Sequence, residues 1–253
     1  MNQFGDLYSQ YYDLLYSDKD YQSEVEYVDG LIKANNPTAI TLLDMGCGTG
    51  RHAELFSDKG YMVHGIDLSA DMLKIAELRR LGREDRLSFS QSNITELNLG
   101  TKFDVIVSLF HVMCYQNSNK ELTKAIEVAK NHLNDNGILI FDFWYGPAVL
   151  TDPPITNIKR LENQQVHVTR IAESSIHAQT NIVEVNYDIF VTSKNMLSNV
   201  LEKKERHNVR YFFDTELELI MDSMDLTILN KFKWMSNENP NLKSWNVVWV
   251  VKK

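Results

Sequence analysis

The first half of the chain alternates short apolar runs with longer amphipathic segments. The runs are nearly continuous in hydrophobicity and rich in β-branched residues, which is typical of strands that are covered on both faces. The segments between them repeat apolar residues at helical spacing, most clearly over 118–133, where Ser118 and Glu121 match a capping box. Strands that alternate with helices predict an α/β fold with a doubly wound parallel sheet. The predicted strands are 40–45, 62–66, 87–90, 103–110 and 137–143.

Beyond Pro147 the apolar period changes to that of a half-buried strand. Apolar residues occupy every second position from Val183 to Val191. We therefore expect a small antiparallel sheet inserted into the α/β fold, then a helix from Asp214 and two final strands at 226–234 and 245–251. Both flanks of the insertion belong to one fold, so the chain is predicted to be a single domain. Its parts are N-terminal lid helices (1–36), a core (37–150), the inserted sheet (151–212) and a C-terminal helix with two core strands (213–253).

Composition and charge are those of an ordinary globular protein, and they argue against several functions. The 253 residues are 43% apolar, which is enough to bury a full core. Twenty-six basic and 34 acidic side chains give a net charge of −8 without a basic stretch. Nucleic acid is therefore not an expected partner, because phosphate neutralisation supplies most of the affinity for it. The two cysteines lack metal-ligand spacing, so we expect neither a disulfide scaffold nor a bound metal.

The N-terminal sequence and the length of the apolar runs bear on location. Residues 1–17 contain no Lys or Arg and so lack the basic start of a secretion signal. No apolar run reaches the ~18 residues that a membrane span needs. We expect a cytoplasmic protein that does not associate with membranes.

The glycine-rich loop after the first predicted strand carries the most specific signal for ligand binding. Gly46, Gly48 and Gly50 precede a predicted helix, and glycines there allow a sharp turn and a close approach of a ligand to the backbone. Arg51 stands where a dinucleotide-binding loop needs its third small residue, and the carboxylate of Asp44 would repel a diphosphate but suits a cation. The alternative is that the glycines only form a tight strand–helix turn.

Two polar side chains follow the next two predicted strands. Asp67 ends the second strand about 20 residues after the loop, where a carboxylate can accept hydrogen bonds from both hydroxyls of a ribose. Asn93 follows the third strand, and its amide offers a donor and an acceptor to the edge of an adenine. The alternatives are that Asp67 only caps the next helix, which Ser69 can also do, and that Asn93 is an ordinary turn residue.

These motifs resemble those of class I S-adenosylmethionine (SAM)-dependent methyltransferases. The resemblance spans about residues 40–145 and consists of the glycine-rich loop, Asp67, and the approach to the fifth strand from His132 to Gly137. A looser resemblance to bacterial aminosugar N-methyltransferases, which make dimethylaminated nucleotide-linked deoxysugars, covers most of the chain. Its matching segments are 12–16, 19–21, 47–52, 68–73 and 103–110, together with the inserted sheet.

The resemblance implies a Rossmann-like, seven-stranded sheet, SAM as cofactor, and methyl transfer to a small-molecule acceptor, namely the amine of a nucleotide-linked amino sugar. It also implies that the loop packs against the methionyl part with Asp44 near its ammonium, that Asp67 holds the ribose, and that tyrosines of an N-terminal lid close over the donor. The implied cofactor-binding residues are Tyr12, Tyr16, Asp44, Gly46, Gly48, Gly50, Asp67, Leu68, Met72, Asn93, Ile94 and Leu109. The catalytic candidates are Tyr16 of the lid and, on the acceptor side, Tyr115, His111 and His207.

Several alternatives to this interpretation stay open. The N-terminal tyrosines can be core or surface filler, and His111 and His207 can be structural. Residues 110–113 and 142–144 depart from the Phe-Ser-Ser and Glu-Pro-Trp patterns that the family often has after its fourth and fifth strands.

The function also has alternatives. They are an O-methyltransferase of a sugar hydroxyl, an N-methyltransferase of another small metabolite, a nicotinamide-dependent oxidoreductase, and a module that binds SAM or a nucleotide without turnover. Asp44 and Arg51, which flank the glycine-rich loop, argue against the oxidoreductase. We also expect a homodimer formed through the inserted sheet.

Overall fold

A computed structural model of the chain describes residues 14–16, 18–164, 166–194 and 200–253. The expected helix after residue 118 has both halves of its capping box: the hydroxyl of Ser118 accepts the N–H of Glu121, and the Glu121 carboxylate accepts the N–H of Ser118. This pairing satisfies two backbone donors that a helix start leaves open. The helices are α1 (Tyr21–Asn35), α2 (Arg51–Asp58), α3 (Ala70–Arg79), α4 (Asn119–His132), α5 (Gly146–Thr151) and α6 (Asp214–Ser223), with a 3-10 helix at Val112–Tyr115.

The main sheet has seven strands in the order β10-β11-β5-β4-β1-β2-β3. Strands β1 to β5 run parallel, and β11 is antiparallel to both of its neighbours. The predicted doubly wound, seven-stranded Rossmann-like sheet is confirmed. Because β1 lies between β2 and β4, the strand order reverses beside it, which is where open α/β sheets bind ligands. The strands are β1 (Thr41–Met45), β2 (Met62–Asp67), β3 (Leu87–Gln91), β4 (Phe103–Ser108), β5 (Leu133–Trp144), β10 (Thr227–Lys233) and β11 (Asn246–Lys252).

Two strand ends differ from the sequence prediction. The strand predicted over 103–110 stops at Ser108, because Phe110 and His111 adopt φ of 66° and 64°, and a strand requires negative φ. The strand predicted from 137 begins at Leu133, which directly follows α4 and is already extended. The early end of β4 turns the following residues over the edge of the sheet.

The inserted sheet has four antiparallel strands in the order β6-β7-β8-β9, as the alternating pattern predicted. It packs on the α/β core through Val183, Val185 and Val209, and through Val168 and Ile189 on a second cluster that includes Leu15 and Met72. The inserted sheet thus faces the carboxyl edge of the main sheet. Its strands are β6 (Asn157–Glu162), β7 (Val166–His177), β8 (Ile182–Ser193) and β9 (Val200–Arg210).

In the described part of the chain, no helix combines the length and hydrophobicity needed to cross a bilayer. The cytoplasmic location and the division into lid, core and insertion stay predictions.

Candidate functional site

A cavity of about 700 Å³ lies between the carboxyl edge of the main sheet and the inserted sheet. The glycine-rich loop forms one end, and Tyr187 and Val209 of the inserted sheet line the other. The structure therefore brings most of the candidate residues together, and Tyr12 lies outside the described residues. The candidates that line the cavity are Tyr16, Gly46, Gly48, Asp67, Leu68, Met72, Asn93, Ile94, Leu109, His111 and Tyr115.

The glycine-rich loop turns sharply over the ends of β1 and β2. Gly46 adopts φ of 85°, and a Cβ there would lie 2.5 Å from Cγ1 of Val112, so a larger residue would displace the 3-10 helix. Gly50 also has positive φ, but a Cβ there would meet Phe89 and Ala76, not the cavity. This glycine therefore allows α2 to pack on β3 and α3, and its expected contact with the cofactor stays a prediction.

Asp67 ties the loop to the end of β2. Its Oδ2 accepts the N–H of Gly48 and its Oδ1 accepts the N–H of Ser69, both at 2.8 Å. The N-cap of α3 is Ser69, whose hydroxyl accepts the N–H of Met72. Burial raises the pKa of Asp67, and the backbone hydrogen bonds oppose that rise. Asp67 therefore does more than cap a helix: it presents a carboxylate at the cavity, where it can accept the hydroxyls of a ribose.

Asp44 is a buried carboxylate next to the carboxyl end of β1, with 2% of its surface exposed. Its Oδ2 has no hydrogen-bond partner among the described residues. Burial, with the charge of Asp67 adding to it, raises the pKa of Asp44 to about 7. Asp44 does not line the cavity itself but lies behind the loop. A buried carboxylate with one unpartnered oxygen, beside two left-handed glycines, fits the ammonium-bearing end of SAM, because the ammonium is positively charged and can donate to that oxygen.

The residues expected around the adenine lie on the loops after β2 and β3 and on the first turn of α3. Leu68 is 64% exposed and Met72 is buried, so their side chains form an apolar wall at the cavity. Oδ1 of Asn93 accepts the backbone N–H and the hydroxyl of Thr95, at 3.0 and 2.9 Å. Asn93 therefore forms a turn, which was the alternative to a role in binding. Its amide nitrogen does not take part in these two hydrogen bonds and can donate to an adenine.

Tyr16 connects the N-terminal segment to the inserted sheet. Its ring packs edge-on against Phe110 with centroids 5.0 Å apart, and its hydroxyl accepts Nη1 of Arg170 at 3.0 Å. The guanidinium of Arg170 also lies 5.0 Å from the ring centroid of Tyr187. A cation thus stands beside two aromatic rings that line the cavity.

The histidine candidates occupy different environments. His111 lines the cavity, with Nδ1 2.8 Å from Oδ2 of Asp142 and its backbone N–H donating to Oδ1. The two segments that depart from the family pattern are therefore in contact. His207 is 1% exposed and does not line the cavity, because it lies behind Tyr115, whose Oη is 3.0 Å from its Nδ1. The expectation that His207 reaches the acceptor directly is corrected.

Sequence reasoning missed several residues of the cavity. His52, on the first turn of α2, lines it with Nε2 2.8 Å from Oε2 of Glu24, and burial lowers the pKa of His52. Trp144 and Trp245 also line it. Trp144 is the last residue of β5. Its place in the cavity could have been predicted, because ligands bind at the carboxyl ends of parallel strands. Tyr187 carried no signal beyond its place in an alternating strand.

Comparisons with known proteins agree with this geometry. A family model described as a methyltransferase domain matches residues 42–137. The chain is 27% identical to the dTDP-3-amino-3,6-dideoxy-alpha-D-glucopyranose N,N-dimethyltransferase of Streptomyces fradiae over 87% of this chain and 84% of the relative. It is also 27% identical to the dTDP-3-amino-3,4,6-trideoxy-alpha-D-glucopyranose N,N-dimethyltransferase of Streptomyces venezuelae, over 86% and 89%.

Solved structures match over nearly the whole length. A SAM-dependent methyltransferase from Clostridium acetobutylicum has a TM-score of 0.82 at 24% identity and covers 96% of each chain. DesVI of Streptomyces venezuelae has a TM-score of 0.78 at 25% identity and covers 95% of this chain and 96% of its own. The inserted sheet is therefore within the region that these structures share with the chain.

Proposed function

Because the chain is a class I SAM-dependent methyltransferase, we propose that it methylates the amine of a nucleotide-linked amino sugar. One observation carries the proposal: a single cavity joins the glycine-rich loop to the inserted sheet, so donor and acceptor fit end to end. Both Streptomyces relatives are named as N,N-dimethyltransferases of dTDP-linked amino sugars, and the matches cover 84% and 89% of their length.

The loop end of the cavity supplies the donor site. Gly46 and Gly48 line the cavity where the methionyl part binds, and Asp67 accepts the ribose hydroxyls there. Asp44, buried directly behind these glycines, supplies the negative charge for the ammonium. When bound, SAM supplies a methyl group on a sulfonium, which is already activated for displacement. The protein then mainly has to hold the acceptor on the axis of the reaction, and well-oriented reactants gain effective molarities on the order of 10⁵ M or more.

The acceptor end must take a polar, anionic molecule and deliver a neutral amine. Tyr115 and His111 line it between the core and the inserted sheet. A sugar amine is protonated in neutral water, so it must lose a proton before its lone pair can attack a methyl group. Arg170 does not line the cavity itself, but its guanidinium contacts Tyr16 and Tyr187, which do, and its positive charge there suits a diphosphate.

An acceptor screen tests the proposal. We expect dTDP-sugars that carry an amine on the pyranose ring to gain the mass of one or two methyl groups when incubated with the protein and isotopically labelled SAM. The matched controls carry a hydroxyl at the same ring carbon, and mass spectrometry measures both sets. Methylation of the hydroxyl compounds alone, or of free amines alone, would contradict the proposal.

Replacing Arg170 with glutamine should raise the KM for the nucleotide sugar by about tenfold and leave the Kd for SAM unchanged. The reason is the loss of a charge-assisted contact to the diphosphate, worth about 1.5–3 kcal/mol. Steady-state kinetics and calorimetry measure the two constants. Arg160→Gln is the matched control, because Arg160 is exposed on β6 of the same sheet. Equal KM values for the two variants would remove Arg170 from the acceptor site.

We also propose that two copies of the chain pair through the inserted sheet. Its edge strands β6 and β9 expose apolar side chains, namely Ile158 at 49%, Val200 at 60% and Leu201 at 53%. Exposed edge strands readily pair with another chain. Light scattering should give the mass of a dimer for the wild type and of a monomer for Leu201→Glu. Leu219→Glu, at an exposed position on α6, should remain dimeric. A monomeric wild type would exclude this pairing.

A further inference from the structure

A buried line of three side chains leads from the cavity into the inserted sheet. Tyr115 lines the cavity, and its Oη lies 3.0 Å from Nδ1 of His207. Nε2 of His207 lies 3.4 Å from Oε2 of Glu205, two residues earlier on β9. His207 is 1% exposed and Glu205 is 9% exposed. Tyr115 is therefore the member of the line that meets the acceptor end of the cavity.

The chemistry of the three groups assigns the protons along this line. A carboxylate only accepts hydrogen bonds, so Nε2 of His207 carries the proton that faces Glu205. A neutral imidazole then has a bare Nδ1, and the hydroxyl of Tyr115 donates to it. Burial raises the pKa of Tyr115 well above its usual range, so its oxygen keeps its proton at neutral pH. The proton of Tyr115 thus points towards the inserted sheet, away from the cavity.

The charged and titratable groups around His207, Glu205 and Tyr187 lie on β7, β8 and β9 and on the N-terminal segment. Lys203, also on β9, lies 3.2 Å from Oε1 of Glu205 and balances its charge. The ring of Tyr187 on β8 packs edge-on against His207 with centroids 5.0 Å apart. Burial and the charge of Tyr16 raise the pKa of Tyr187 to about 12, against the opposing charge of Arg170 on β7. Tyr187 is therefore neutral, and Glu205 provides the negative charge in contact with the imidazole.

We propose that His207 and Glu205 are positioning residues that make Tyr115 the proton acceptor for the acceptor amine. The ammonium passes a proton to the Tyr115 oxygen as Tyr115 passes its own proton to Nδ1 of His207. The amine keeps the electron pair of the broken N–H bond and becomes a nucleophile, and Glu205 stabilises the imidazolium. After product release the proton returns along the same path to water in the cavity. The role in catalysis rests on the proposed function, whereas the proton assignment does not.

Nitrogen NMR of the SAM-free protein tests the proton assignment. In the wild type, His207 should be the neutral Nε2–H form, with its signals identified by their loss in His207→Gln. In Glu205→Gln the neutral amide can donate to Nε2, so the two tautomers should mix. Glu202→Gln is the matched control, because Glu202 is an exposed acid on the same strand, and it should leave the spectrum unchanged. An Nδ1–H form in the wild type overturns the proposal.

Kinetics with the methylated amine tests the role in catalysis. Tyr115→Phe should lower kcat about a hundredfold, the lower end of general acid–base effects, and Glu205→Gln about tenfold, because Glu205 acts only through His207. In Glu205→Gln, KM and the Kd for SAM should change less than about twofold, since Glu205 does not line the cavity and contacts neither substrate. The acid limb of the kcat profile should move to lower pH in Glu205→Gln, because an amide stabilises an imidazolium less than a carboxylate does.

Two outcomes overturn the relay, and they differ from failure of the proposed function. The relay is wrong if Glu205→Gln has the kcat and pH profile of Glu202→Gln. It is also wrong if Tyr115→Phe keeps full turnover, a test that does not depend on how well Glu205→Gln folds. If no amine is methylated, the proposed function fails, and the tautomer of His207 in the SAM-free protein still decides the proton assignment.

Discussion

Replacing Asp67 with alanine should weaken SAM binding by about 10- to 100-fold. The carboxylate of Asp67 lies at the cavity and accepts two backbone N–H groups, from the loop and from the start of α3. A charge-assisted hydrogen bond of the kind expected with the ribose contributes about 1.5–3 kcal/mol, which corresponds to this range of affinity. Isothermal titration calorimetry of the variant and the wild type measures the ratio of the two Kd values.

Gln91→Ala is the matched control for this change. Gln91 pairs with Asp67 at the same edge of the sheet, but its side chain is exposed and donates to the carbonyl of Leu68. It should bind SAM with the affinity of the wild type, within about twofold. An unchanged Kd for Asp67→Ala would remove Asp67 from the donor site.

A comparison of two ligands distinguishes a contact of Asp67 with the ribose from its hydrogen bond to the glycine-rich loop. S-adenosylhomocysteine and its 2′,3′-dideoxy form differ only in the diol. If Asp67 binds the diol, Asp67→Ala should cost more affinity for the first ligand than for the second. Equal losses would mean that Asp67 acts only by holding Gly48 in place.

The parts of the fold that the sequence predicted well are those that local pattern determines. The strands of the parallel sheet are apolar because helices cover both faces, so each run predicts a strand without knowledge of its neighbours. The capping box of Ser118 and Glu121 needs only residues three positions apart. The glycine-rich loop could also be predicted from local sequence, because its positive φ angles favour glycine at the turn itself.

The acceptor side could not be predicted because its contacts join distant segments. Tyr115 and His207 are 92 positions apart and meet only because the inserted sheet packs over the 3-10 helix that follows the carboxyl end of β4. The contact of His111 with Asp142 depends on the positive φ of His111. Glycine and asparagine are the residues that usually indicate a positive φ in a sequence, and neither occurs at this position. An alternating pattern shows which face of a strand is buried but not what lies against it. Tyr187 and Glu205 were therefore missed for the same reason.

Replacing Asp44 with asparagine should stabilise the SAM-free protein at neutral pH. Burial and the charge of Asp67 raise the pKa of Asp44 to about 7, well above the value of about 3.8 that it has in an unfolded chain. The stability that comes from a protonated Asp44 is therefore full below about pH 4 and is lost as the pH rises to about 7. Asparagine stays neutral, so its advantage should grow over this interval to at most about 4 kcal/mol. Denaturant unfolding at a series of pH values measures the difference.

The same substitution should weaken SAM binding, which gives Asp44 opposite effects on stability and function. The ammonium of SAM binds the ionised carboxylate, so the affinity of the wild type should rise by up to about tenfold per pH unit until about pH 7. Asp44→Asn should lose this dependence and bind about 10- to 100-fold more weakly above pH 7, because the charge-assisted contact is gone. Calorimetry over the same pH series measures both changes.

Asp29→Asn is the matched control for both effects of Asp44→Asn. Burial acts to raise the pKa of Asp29, but hydrogen bonds from Lys33 and Tyr61 outweigh it, and the pKa is lowered. Its ionised form therefore stabilises the fold, and this stability is lost as the pH falls through the lowered pKa. Asp29→Asn should destabilise the protein at neutral pH without changing the pH dependence of SAM binding. If both variants are destabilised, Asp44 has partners that favour its charge even without SAM. The assignment of its carboxylate to the ammonium is then wrong.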